Sequence, residues 1–78
     1  MKVYFENSRG VWRLIGSGTK QDCSKAVYDF LQEKKFKSYY TQVTEVEPGV
    51  ERWDVGSHSE FFYLIDPEIA GDKYRIEK

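Results

Sequence analysis

The chain has one cysteine, one histidine and no long apolar run, and each shortage removes a class of protein. With Cys23 alone, no disulfide can form within the chain. One cysteine and one histidine leave a tetrahedral zinc site two ligands short, so no metal and no other cofactor is expected. No stretch approaches the roughly 18 apolar residues of a membrane-crossing helix. The start, Met1-Lys2-Val3-Tyr4-Phe5-Glu6, turns polar too early for a secretory leader. A reduced thiol without such a leader fits the cytoplasm, and no membrane partner is expected.

Charge of one sign is also scarce. The formal net charge is −1, which argues against a general electrostatic grip on nucleic acid. Its distribution is uneven: residues 1–40 carry eight Lys/Arg against four Asp/Glu, and residues 41–78 carry four against nine. Such blocks either cancel within one sheet or steer a partner or a second copy of the chain.

Aromatic residues are plentiful. Two Trp, six Tyr and five Phe stand among 78 residues, a length near the lower limit for a domain held by burial alone. Each enclosed ring removes roughly 150–250 Å² from water, so a compact aromatic core can replace the missing staple.

Lys2 to Glu6 alternates with a period of two, as a strand does. Asn7-Ser8-Arg9-Gly10 signals a turn, and Val11 to Ile15 returns. A two-residue loop at Ser8-Arg9 would set Phe5 opposite Trp12 and Val3 opposite Leu14. Those four would share one side, with Tyr4 and Arg13 on the other. After Gly16-Ser17-Gly18, Thr19 reads as a helix N-cap with Asp22 at the third helical position, a form of the capping box. Cys23, Ala26, Val27, Phe30 and Leu31 then mark one apolar helical face, ending near Lys34. Tyr28 lies off that stripe.

Tyr39 to Glu47 is rich in β-formers. Pro48-Gly49 favours a type II turn, and Val50 to Val55 returns. A two-residue loop would place Trp53 opposite Thr44 and Arg52 opposite Glu45, with Tyr40, Val46, Trp53 and Val55 on one side. Type II turns suit tight hairpins poorly, which leaves a wider loop open. Gly56 to Glu60 reads as a loop, and Phe61 to Ile65 as a last buried strand, either the middle of the sheet or the centre of an interface.

These elements predict an α+β domain over residues 1–65, with one helix on one face of an antiparallel sheet of four to five strands, ββαββ(β). Residues 66–78 form a polar tail, strap or loose end. One helix covers one sheet face, so a second, aromatic-rich face is left for water, the tail or a partner.

Three small constellations could carry chemistry. His58 and Glu60 share a face of an extended chain, yet nothing supplies an orienting third group, and a solvated loop explains them. Cys23 near a helix N-terminus would favour a thiolate, but it lies on the apolar stripe and reads as core. Gly16-Ser17-Gly18 lacks the spacing and lysine of a phosphate-cradling loop. No catalytic residue is assigned and no enzyme activity is expected. Tyr4, Tyr28, Tyr39, Tyr40 and Tyr63 are the candidate protein-binding residues, since interfaces favour tyrosine and tryptophan. Lys34, Lys35 and Lys37, interleaved with Phe36, Tyr39 and Tyr40, form an alternative nucleic-acid surface.

Lys37-Ser38-Tyr39-Tyr40-Thr41, Asp54-Val55-Gly56-Ser57-His58-Ser59-Glu60-Phe61-Phe62-Tyr63-Leu64 and the helix end Asp29-Phe30-Leu31 together carry a resemblance. The chain resembles a group of very small proteins encoded by phages and prophages of Gram-positive bacteria, over most of residues 1–65. That group has no assigned activity, so the resemblance implies a context, an accessory protein in the bacterial cytoplasm, and no mechanism.

Overall fold

Two hairpins and a last strand that joins them build the domain. The structure, a computed structural model, describes residues 1–34, 41–56 and 60–71. The elements are β1 (Lys2–Glu6), β2 (Trp12–Ser17), α1 (Lys20–Glu33), β3 (Gln42–Glu47), β4 (Val50–Asp54), β5 (Phe61–Ile65) and the one-turn α2 (Pro67–Ala70). Among the described residues the five strands form one antiparallel sheet in the order β2-β1-β5-β4-β3. This is the α+β architecture the pattern predicts, and β5 is the middle of the sheet rather than an interface strand.

The first hairpin is one residue out of the expected register. Glu6 pairs with Trp12, Phe5 with Arg13 and Tyr4 with Leu14. The cause is Asn7. Its side-chain Oδ1 accepts from the Arg9 and Val11 amides at 2.9 and 3.1 Å, and its own amide donates to the Val11 carbonyl at 3.0 Å. The loop therefore holds three residues, closed by Gly10 at φ 78°, in place of the two-residue loop at Ser8-Arg9. A bulge then inserts one extra β2 residue beyond Tyr4, so that Val3 pairs with Gly16. Phe5 and Trp12 consequently lie on opposite faces, and Tyr4 joins Trp12 and Leu14.

The second hairpin corrects itself in the same way. Pro48-Gly49 does form a two-residue connection, with Glu47 opposite Val50 and Gly49 at φ 81°. A bulge at Val46 then shifts the ladder, setting Val43 opposite Trp53 and Thr44 opposite Arg52. A type II turn splays its strands, and an extra residue restores a paired ladder. Val46 is exposed, while Trp53 and Val55 are buried in the cluster under the helix, so the expected grouping of these three on one side does not hold.

The helix follows the sequence reading closely. Thr19 Oγ1 accepts from the Asp22 amide at 3.1 Å, and Asp22 Oδ2 accepts from the Thr19 amide at 3.0 Å, a complete capping box. These bonds hold the Asp22 carboxyl below its ordinary value, first through the Thr19 amide and then through its hydroxyl. Cys23, Val27 and Leu31 are buried, with Ala26 and Phe30 half-buried beside them. Phe5, Phe30 and Phe62 form a triangle of rings with centroids 4.6, 5.3 and 5.6 Å apart. Such pairs add about 0.5–1.5 kcal/mol each beyond burial, which is how a small core without a disulfide gains rigidity. Gly16 makes the helix fit: a Cβ there would lie 2.6 Å from Ala26 Cβ and 3.2 Å from Val3 Cγ1.

On the other face a smaller cluster forms around Tyr4, Val50 and Ile65, with Trp12, Leu14, Tyr63 and Ala70 against it. Asp66 caps α2 by accepting from the Glu68 amide at 3.0 Å, and the Asp66 amide donates to the Gly49 carbonyl at 2.8 Å. Residues 66–70 are thus a short helical turn seated on the β3–β4 turn.

Candidate functional site

The sheet face away from α1 is built by alternation. Tyr4 and Glu6 on β1, Trp12 and Leu14 on β2, Tyr63 on β5 and Arg52 on β4 follow one another across paired positions. Trp12 and Tyr63 reach over the intervening β1 and stack, with centroids 4.2 Å apart and planes 18° from parallel. Tyr4 lies 5.8 Å from the Trp12 ring and is 1% exposed.

Glu6 fixes this pair. Its Oε2 accepts from Trp12 Nε1 at 2.9 Å and its Oε1 accepts from the Tyr63 hydroxyl at 3.2 Å. Both polar handles of the stack are spent on one carboxylate, so the rings offer apolar surface to anything that approaches. Burial, and then the Glu6 charge and hydrogen bond, push the Tyr63 phenol above its ordinary value, and Arg52 opposes that push. The Arg52 guanidinium lies 5.2 Å from the Phe61 ring centroid, within cation–π range. The face therefore combines a half-buried aromatic stack, a carboxylate that accepts two hydrogen bonds and an arginine resting on a phenylalanine. Tryptophan, tyrosine and arginine are the residue types that dominate protein–protein binding energy.

The residues singled out from sequence do not converge here. Tyr63 lies on this face. Tyr4 does too, but its burial corrects the expectation that it contacts a partner: it is the floor of the stack. Tyr28 stands on α1, on the opposite side of the sheet, 51% exposed and edge-on to Trp53 at 6.4 Å. Lys34 caps the C-terminal end of α1, its ammonium 5.9 Å from the Phe30 ring. Tyr39, Tyr40, Lys35, Lys37 and His58 lie outside the described residues. Trp12 was missed because the one-residue register error put it on the side opposite Tyr4, and Glu6, Phe61 and Arg52 complete the face beside the residues singled out from sequence. Asn7 two residues before an arginine and three before a glycine was the available signal for a three-residue loop.

Burial pushes the Cys23 thiol above its ordinary value, the reverse of an activated nucleophile. Among the described residues no three His, Cys, Asp or Glu side chains gather as metal ligands, and no helix is long and apolar enough to cross a membrane.

Fold and face together define a small single-sheet α+β domain with an aromatic surface opposite its main helix. Comparison with known protein families, curated proteins and solved structures finds no match.

Proposed function

We propose that this protein is a non-enzymatic binding module that engages another protein through the sheet face opposite α1. The single observation carrying this reading is the Trp12–Tyr63 stack, half-buried and held by Glu6. Pre-ordered rings lose little further freedom on binding, so their remaining apolar surface converts efficiently into affinity. Phe61 with Arg52 extends the patch. The resemblance to small phage and prophage proteins supports an accessory role in a bacterial cytoplasm, with a host or phage protein as the partner.

The test is affinity capture from host or infected lysate, followed by variants. Phe61→Ser and Arg52→Glu alter the face while leaving the Glu6-centred bonds in place, and each should weaken retention of the captured protein by about tenfold or more. Tyr28→Ser, on the opposite side, should leave retention unchanged. Retention lost with Tyr28→Ser and kept with the two face variants would remove the basis of this reading. Light scattering at two concentrations separates a foreign partner from a second copy of the chain.

The alternative function, a nucleic-acid module, rests on Lys34, Lys35 and Lys37. Retardation of single-stranded DNA or RNA that weakens with salt and with Lys34→Glu would favour it over protein binding.

A further inference from the structure

We draw no further inference here: the strongest candidate, the pocket of about 140 Å³ between the start of α1, the β3–β4 hairpin and α2, lined by Glu45, Glu51 and Asp66, rests on carboxylates alone, because its one buried unpaired oxygen, Glu51 Oε1, belongs to a side chain that is 26% exposed and pairs with Lys20 at 3.3 Å.

Discussion

Gly16 and Ala26 set the distance between α1 and the sheet, and a double-mutant cycle measures that directly. In Gly16→Ala the new methyl would sit 2.6 Å from Ala26 Cβ, closer than real Cβ atoms approach, and 3.2 Å from Val3 Cγ1. Gly16 has no positive φ, so the backbone accepts alanine and the penalty is purely steric. Overpacking of this kind costs about 1–3 kcal/mol. The loss of unfolded-chain freedom offsets about 0.4–1 kcal/mol of it. Ala26→Gly alone should cost about 1 kcal/mol through helix propensity. The double variant removes the colliding methyl from the helix, so it should be more stable than the sum of the two single changes implies, with a favourable coupling of about 1–2 kcal/mol. Urea unfolding gives each term, and each kcal/mol corresponds to about 4–8 °C in Tm for a domain of this size. Additive effects, or a Gly16→Ala variant as stable as the parent, would show that α1 does not sit on Gly16.

Three further outcomes follow from particular bonds. Tyr63→Phe keeps the stack and removes one donor to Glu6, so it should lower stability by about 0.5–1.5 kcal/mol in urea unfolding. Because the folded Tyr63 phenol is raised, its contribution is complete below the ordinary tyrosine value and is lost as pH climbs through and above it. Stability should therefore fall more steeply in alkali for the parent than for Tyr63→Phe. Gly49→Ala demands φ 81° of an L-residue and drives a methyl to 2.8 Å from Ile69 Cβ and 2.9 Å from the Ala70 amide nitrogen. It should destabilise by more than about 1 kcal/mol and raise exchange of the Ala70 amide. Thr19→Ala should cost about 1 kcal/mol. The Asp22 carboxyl that shares this cap is lowered by it, so its contribution is present above the ordinary carboxylate value and lost as pH falls through the lowered one, with helix circular dichroism as the readout.

Local rules made the helix legible, from the Thr19 cap to the stripe of Cys23, Val27 and Leu31. Strand identity was legible too, because alternation and β-formers coincide. Register was not: one extra residue, in the loop over residues 8–10 of the first hairpin and in the Val46 bulge of the second, inverts every side chain beyond it. The existence of an aromatic face follows from counting rings against what one helix covers. Its membership does not, since Trp12 changes faces with a one-residue slip. Tyr4 belongs to the face by sequence and is buried there by Trp12 and Tyr63, a contact across non-neighbouring strands that no local pattern encodes.

The strand at the centre of the sheet is the last strand among the described residues. During synthesis the two hairpins emerge first, and the edges that β5 later fills, β1 of one hairpin and β4 of the other, are still unpaired. Neither can pair with its neighbour until Phe61–Ile65 leaves the ribosome and closes both ladders at once. Folding should therefore be nearly all-or-none and late, dominated by contacts between distant parts of the chain. In that interval the exposed edges of β1 and β4 are the places where two nascent copies would pair with each other.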